Sequence, residues 1–235
     1  MALQMATYLR GRMGNIVFYQ RAGIYIARSV PLVVKQSAAT KKWNKNFGVS
    51  ATAGKSLRPL LLPVLPFPKN RSMQSRFSGA ITKWIRLGNP AALPAGTNLP
   101  FISQFQFNKD SSITERWKIP WRVVQPVAGL IEVQLPAFIP NMSITAPAHT
   151  ISVDCTITVA SCLLADGKAL GSCTKQLSID YTGTPIHAQT ISMPVPTPAG
   201  ALVITAAFLQ YRLANGQYCS KTAFLPASVI DARYC

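Results

Sequence analysis

The sequence predicts a mainly β protein of the α+β class. A basic N-terminal β-hairpin and two helices precede a C-terminal antiparallel β-sandwich of the immunoglobulin-like type. Two observations support this prediction. Short β-prone runs recur after residue 100 with turn residues between them, as the strands of a sandwich do. The chain also contains 18 prolines and 14 glycines among its 235 residues, which keeps regular elements short and loops frequent.

The first element is a hairpin over residues 14–30. One β-prone run begins at Ile16 and a second at Ile24, and Arg21-Ala22-Gly23 supplies a short connection between them. Both faces of this hairpin are apolar or aromatic; we expect one to carry Ile16, Phe18, Ile24 and Ile26 and the other Val17, Tyr19 and Tyr25. A hairpin of this kind is not stable without cover on both sides. We therefore predict that it contacts a neighbouring subunit through Ile16, Phe18, Tyr19, Tyr25 and Ile26.

Two helices follow the hairpin. The first begins near Thr40, a suitable N-cap, and its apolar face consists of Trp43, Phe47, Ala51, Leu57 and Leu61. The second begins near residues 70–72 and ends at the stop signal Leu87-Gly88-Asn89-Pro90. Its apolar residues at i, i+4 spacing are Met73, Phe77, Ile81 and Ile85. We interpret both apolar stripes as core.

The remaining β-prone runs predict the strands of the sandwich. They cover residues 101–107, 117–124, 130–135, 151–159, 177–181, 201–211 and 218–224. The run at 151–159 alternates apolar and polar residues, which predicts one buried and one exposed face. Asn215-Gly216 between the last two runs is a strong hairpin signal. The predicted domains are a basic hairpin and helical region (1–90), a linker with connecting strands (91–124) and the sandwich (125–235).

Charge divides the chain sharply. Residues 1–109 contain sixteen Lys or Arg and no Asp or Glu, whereas the rest is close to neutral, and the formal net charge is +17. Such a region repels itself and favours a polyanion or an acidic neighbouring surface as its partner. The cations predicted to make this contact are Arg10, Arg12, Arg21, Arg28, Lys41, Lys42 and Lys45. Aromatic residues interleaved with them suit single-stranded nucleic acid, although core positions are favoured for the tryptophans themselves.

Nothing in the sequence indicates catalysis. It offers two histidines, His149 and His187, and seven acidic residues that are scattered singly. No phosphate-binding loop, zinc-protease helix or hydrolase nucleophile motif is present. Gly11-Arg12-Met13-Gly14 matches the GxxG of KH domains, but that motif lies between helices and here a strand follows. We predict no catalytic residues, no metal and no cofactor.

The five cysteines all lie in the near-neutral half and have no zinc-site spacing. We expect them to be reduced and mostly buried, with a Cys155–Cys173 disulfide as the alternative. No secretory leader or membrane-spanning run is recognisable. This predicts cytoplasmic synthesis without a signal peptide and no membrane span, and it leaves the final location of an assembly open.

Two segments resemble an uncharacterised family of small basic proteins in Bacteroidota. Gly14-Asn15-Ile16-Val17-Phe18-Tyr19, followed by Gly23, Arg28 and Pro31, resembles the opening hairpin of that family. Residues 208–228 are similar to its last hairpin, although the chain lacks the family's Gln-rich, threonine-led helix start. The family has no established activity, so the resemblance implies an architecture only.

Together these observations predict a non-enzymatic structural subunit present in many copies, such as a coat, filament or nucleoprotein subunit. Its basic half would face DNA, RNA or an acidic neighbour. The first alternative is a sequence-independent nucleic-acid-binding protein, for example an RNA-associated one, that acts as a monomer or dimer. The second is a protein filament whose positive interior pairs with acidic loops of its partners. An enzyme ranks last.

Overall fold

A computed structural model of the protein describes residues 2–5, 8–31, 35–62, 65, 71–87 and 97–235. The chain divides into two compact units, Met1–Trp43 and Asn44–Cys235, and the division falls within the first helix. Most of the helical region therefore belongs to the same unit as the sandwich, whereas the predicted boundaries lay at residues 90 and 124. Residues 88–96, which include the start of the predicted linker (91–124), lie outside the described residues.

The first unit contains a four-stranded antiparallel sheet in which the strands follow one another in sequence order. Its strands are β1 (Ala2–Met5), β2 (Tyr8–Met13), β3 (Ile16–Arg21) and β4 (Ile24–Ser29). The predicted hairpin is β3–β4, and its two-residue turn has φ of 50° at Ala22 and 82° at Gly23, as hairpin turns of this length require. The two strands before it were missed because their sequence mixes charges, glycine and apolar residues without alternation.

The second unit contains the remaining helices and strands. The helices are α1 (Ala38–Leu61), α2 (Arg71–Leu87), α3 (Pro100–Ser103), α4 (Ile113–Arg116) and α5 (Pro140–Ser143), with a 3-10 turn at Thr222–Phe224. The strands are β5 (Thr97–Asn98), β6 (Arg122–Val127), β7 (Leu130–Leu135), β8 (Thr150–Leu163), β9 (Ala169–Asp180), β10 (Gln189–Pro194), β11 (Ala201–Leu213) and β12 (Ala227–Tyr234).

These strands form the predicted antiparallel sandwich. One sheet has the order β10-β7-β6 and the other β5-β12-β11-β8-β9. Immunoglobulin domains pair their strands as A-B-E-D and C-F-G. The same pairings occur here if the chain is read backwards from β12 as strand A to β6 as strand G, with β5 added beside β12. The sandwich therefore has immunoglobulin-type pairing with the opposite chain direction.

Both faces of the five-stranded sheet are covered at its central strand, β11. One hydrophobic core lies between the two sheets and includes Ile157, Val133 and Tyr211. A second core lies on the outer face, where α1 and α2 cover residues such as Ile204 and Phe208. All four predicted core residues of α2 are buried, at 7% exposure or less. This second core explains why β11 is apolar on both faces.

Helix α1 differs from its prediction in its N-terminal half. Ser37, rather than Thr40, caps it, because the Thr40 backbone N–H donates to the Ser37 Oγ at 3.1 Å. Leu57 and Leu61, near its C-terminal end, are buried as predicted. Trp43 and Phe47, nearer its N-terminal end, are 38% and 61% exposed. The predicted apolar stripe is therefore core only in its C-terminal half.

Three strand predictions were wrong in detail. Residues 101–107 contain the end of α3 and one isolated bridge rather than a strand. Residues 218–224 pair only through the bridge of Tyr218 with Arg212, so the turn at Asn215-Gly216 does not open a full hairpin. The polar face of β8 is not exposed, since Asp154 and Thr158 are 2% and 0% exposed. Neighbouring strands and side chains cover it.

The cysteines are all free thiols. Cys155 lies opposite Leu177 and Cys173 opposite Val159 in the β8–β9 pair. The two are thus offset by four residues along the strands, beyond the reach of a disulfide. Burial raises the pKa of the Cys162 thiol to about 12, so this thiol stays protonated.

Candidate assembly and nucleic-acid interface

The described side chains of the N-terminal sheet belong to no hydrophobic core. None of the described side chains between residues 8 and 31 is buried. Ile24 is 66% exposed, Met13 56% and Ile16 42%, whereas core residues of the sandwich such as Ile157 and Leu209 are fully buried. The apolar side chains of this sheet therefore remain in contact with solvent in the isolated chain.

Strand register determines which side chains share a face of the sheet. Val17 pairs with Arg28 and with Arg12, Tyr19 pairs with Ile26, and Arg21 pairs with Ile24. We call this side the arginine face: Arg12, Val17, Tyr19, Arg21, Ile24, Ile26 and Arg28. The opposite side, here the apolar face, consists of Met13, Ile16, Phe18, Gln20, Tyr25, Ala27 and Ser29.

This register corrects the predicted division of the hairpin. Ile24 and Ile26 were expected beside Ile16 and Phe18, but they lie on the other face, and Tyr25 takes the place expected for them. The prediction placed Arg21 in the connection, whereas Arg21 is the last residue of β3 and pairs with Ile24. The register of β4 against β3 is therefore shifted by one residue from the predicted register, which exchanges the two faces of β4.

The arginine face brings three of the predicted cations together. Arg12 and Arg28 flank Val17 across three adjacent strands, and Arg21 lies at the far end of β3. The Arg28 guanidinium carbon lies 5.8 Å from the centroid of the Tyr19 ring, within cation–π range. The Arg12 Nε donates to the Gly14 carbonyl at 2.9 Å. All three arginines are exposed.

The other predicted cations are placed differently. Arg10 pairs with Leu3 of β1, on the far side of Gly11, whose φ of 112° interrupts the strand. Lys41 lies exposed in the first turn of α1. The side chains of Lys42 and Lys45 lie outside the described residues.

The apolar face carries no charged side chain on β3 or β4. Ile16 and Phe18 lie opposite Ser29 and Ala27. Beside them the Tyr25 ring stacks on the Tyr8 ring, with centroids 3.7 Å apart and planes within 5°. Tyr8 and Met13 belong to this exposed cluster, although neither was among the predicted assembly residues. In the sequence, the recurrence of aromatic and apolar residues between Tyr8 and Tyr19 was the signal that could have predicted their place in this cluster.

A second basic surface lies beside α2 in the other unit. An open groove of about 490 Å³ between α2 and α3 is lined by Arg76, Lys83, Phe101 and Gln104. Arg76 donates to the carbonyls of Gln106 and Phe107, and burial lowers the pKa of its guanidinium. The Lys83 Nζ lies 4.4 Å from the Phe101 ring centroid. These contacts attach the α3 segment to α2, which gives both cations a structural role.

One acidic residue of the neutral half is buried and hydrogen-bonded to an exposed side chain of the same unit. The Tyr218 hydroxyl donates to the Asp154 carboxylate at 2.5 Å and accepts from the Arg212 Nη2 at 2.9 Å. The hydrogen bond with Tyr218 raises the pKa of Arg212. Asp154 is 2% exposed, so its carboxylate is engaged within the unit rather than offered to a cationic partner.

No family model matches the chain, and no curated protein is significantly similar to it. The resemblance to the Bacteroidota proteins therefore stays a prediction. Among the described helices, none combines the length and apolar character needed to cross a bilayer.

Proposed function

We propose that this protein is a non-enzymatic structural subunit of an assembly of many copies, and that the N-terminal sheet is its assembly element. The observation that supports this proposal is a sheet with both faces exposed. A small sheet requires at least one covered hydrophobic face for stability, and the described residues of this unit bury none. In the assembled protein the cover comes from neighbouring copies.

The apolar face suits a second copy of the chain. Its β3 and β4 rows contain no charged residue, so two such faces pack together without opposing like charges. The arginine faces then point away from each other. Packing two arginine faces would instead oppose like charges without compensation, since the sequence contains no acidic residue before Asp110.

The energy of one contact favours many contacts over a single dimer. Covering a half-exposed Ile, Phe, Met or Tyr contributes about 1 kcal/mol, half the value of full burial. Five such side chains per copy give about 10 kcal/mol for a pair, against an association cost of about 4–15 kcal/mol. One contact alone is therefore weak. Repetition of the contact in a shell or filament makes it stable through avidity.

Paired isoleucine substitutions test the proposal. Ile16 on β3 and Ile151 on β8 are 42% and 48% exposed, so Ile16→Ser and Ile151→Ser remove similar exposed surface. Neither isoleucine belongs to a hydrophobic core. We expect Ile16→Ser combined with Phe18→Ser to shift the protein from large particles to small species, while Ile151→Ser assembles as the unmodified chain does.

The measurement is sedimentation velocity over a range of concentrations, with negative-stain microscopy of the largest species. Circular dichroism checks that the sandwich stays folded in each variant. The proposal fails if the unmodified protein remains monomeric at high concentration. It also fails if the Ile16→Ser, Phe18→Ser variant assembles normally.

The arginine face favours a second candidate function, sequence-independent binding of nucleic acid by a monomer or dimer. Three exposed arginines and an aromatic ring on one face of a sheet suit phosphates and bases together. A monomeric protein that binds unrelated oligonucleotides equally well would establish this function in place of assembly.

A further inference from the structure

We infer that the arginine face is a binding site for single-stranded nucleic acid, in which Arg12 and Arg28 bind phosphates and Tyr19 stacks against a base. The inference deepens the proposed function by naming the partner of the basic half. It rests on that proposal only for the statement that the apolar face is covered by another copy, which leaves the arginine face free.

The spacing of the three side chains follows from the register. Adjacent strands lie about 4.8 Å apart, so the backbones of Arg12 and Arg28, which flank Val17, are separated by about 10 Å. Tyr19 lies two residues further along β3, about 7 Å from Val17. Arg12 and Arg28 thus lie on the two strands that flank β3, and the Tyr19 ring lies on β3 itself, two residues further along it. A backbone that passes one arginine and then the other brings a base over Tyr19.

The contact between Arg28 and Tyr19 supports a stacking role. The guanidinium carbon lies 5.8 Å from the ring centroid, and Tyr19 is only partly covered. Arginine planes and tyrosine rings both stack with bases, and stacking of this kind is independent of sequence. A site that only neutralised charge would need no aromatic ring beside its cations.

The shape of the sheet favours a single strand over a duplex. The major groove of B-DNA is about 12 Å wide and admits a two-stranded ribbon. Four strands at about 4.8 Å spacing span about 14 Å between the outer backbones, before side chains are added. A duplex also keeps its bases stacked on one another, which leaves Tyr19 without a partner. A single strand exposes base faces and bends over the sheet.

An acidic protein is the competing partner. It would satisfy the arginines but would leave Tyr19 without a specific role. The absence of any Asp or Glu in the first 109 residues also favours a partner with a long run of uniform negative charge, because basic N-terminal regions of this kind are typical of nucleic-acid-binding arms. A single strand of nucleic acid supplies both, since its bases can stack on Tyr19 and its phosphates form a uniform run of negative charge.

The test is fluorescence anisotropy of a labelled 20-nucleotide poly(dT) strand and a labelled 20-base-pair duplex with the full-length protein. If Arg12 and Arg28 each contact a phosphate, affinity for the single strand falls about 7-fold between 50 and 200 mM salt, from a slope of about −0.7 per phosphate. We expect the single strand to bind more tightly than the duplex. Unrelated single strands of equal length should bind equally well.

Variants separate phosphate contact from stacking. Arg12→Gln with Arg28→Gln should weaken binding at 50 mM salt at least tenfold and reduce the salt slope by about 1.4. Tyr19→Ala should weaken binding about 5- to 100-fold without changing the salt slope, and Tyr19→Phe should restore it. The matched control is Lys168→Gln with Lys221→Gln, which removes two exposed cations of the other unit and should change affinity less than threefold.

Other outcomes would overturn the inference. They are tighter binding of the duplex, equal losses in the arginine and lysine pairs, or displacement of poly(dT) by a lower concentration of polyglutamate than of unlabelled poly(dT). If the glutamine variant misfolds, Arg12→Lys with Arg28→Lys replaces it, because this pair keeps the charge and should retain the salt slope while binding more weakly.

Sedimentation of the same variants separates this inference from the proposed function. Normal assembly with unchanged oligonucleotide affinity refutes the inference alone, and lost assembly of the Ile16→Ser, Phe18→Ser variant with retained affinity supports both.

Discussion

The contact between helix α1 and the β8–β9 turn predicts a large effect of one methyl group. Gly167 lies in this turn with a φ of 66°, and a Cβ added there would lie 2.3 Å from the Thr52 Cγ2 and 3.0 Å from the Thr52 Cβ. Carbon atoms normally approach to about 3.5–4.0 Å. Gly167→Ala therefore forces either the turn or the helix to move.

The expected cost has two parts. The left-handed backbone conformation costs a residue with a Cβ about 1 kcal/mol, and overpacking costs a further 1–3 kcal/mol or so. Gly216 is the matched control, because its φ is 79° and a Cβ added there would have no other atom within 4 Å. We expect Gly167→Ala to lower the free energy of unfolding by about 3 kcal/mol and Gly216→Ala by about 1 kcal/mol.

Urea unfolding monitored by tryptophan fluorescence measures both values, since Trp84 and Trp117 are 4% and 3% exposed. Thr52→Ser adds a further check. It removes Cγ2 but keeps the hydroxyl that donates to the Gly48 carbonyl at 2.9 Å, so it should recover about 1 kcal/mol in the Gly167→Ala background. Equal losses at Gly167 and Gly216, or no recovery with Thr52→Ser, would refute the packing of α1 against this turn.

Two further predictions concern the sandwich. Lys175 is exposed on the edge strand β9, and it pairs with Ile157 on the face directed toward the core between the sheets. An inward charge of this kind protects an edge strand from pairing with other chains. Lys175→Val should therefore lower several-fold the protein concentration at which light scattering detects aggregates, whereas Lys168→Val in the adjacent turn should not. Asp231 is 7% exposed and accepts from the Arg233 Nε at 2.7 Å, and burial raises its pKa above the ordinary 3.8 despite that hydrogen bond. The folded state therefore holds this proton more tightly than the unfolded state, so the contribution of Asp231 to stability falls as pH rises through and above 3.8. Asp231→Asn should gain stability relative to the unmodified protein between about pH 3.5 and pH 6 in denaturant titrations, and a difference that stays constant or reverses over that range would contradict the assignment.

Local patterns in the sequence were sufficient for several elements. The i, i+4 spacing of Met73, Phe77 and Ile81 predicted the buried face of α2, because a helix repeats every 3.6 residues whatever it packs against. The run at 130–135 was predicted with the bounds that β7 has. The break in charge at Asp110 is also a property of the sequence alone, and the prediction of an anionic partner rests on it.

Contacts between distant residues decided the rest. The polar residues of β8 were expected in solvent, but their burial depends on the following strand β9 and on β11, which is remote in sequence. Trp43 and Phe47 continue the apolar stripe of α1 yet remain exposed, because nothing in a helical repeat specifies how far the partner surface extends.

The candidate site shows the same division. The sequence by itself determined that arginines and aromatic residues are interleaved through the hairpin. Only the register of β2, β3 and β4 placed Arg12, Arg28 and Tyr19 on one face and Ile16, Phe18 and Tyr25 on the other. The physical reason is that side chains alternate between faces with a period of two, so a one-residue change in where a strand begins exchanges its faces.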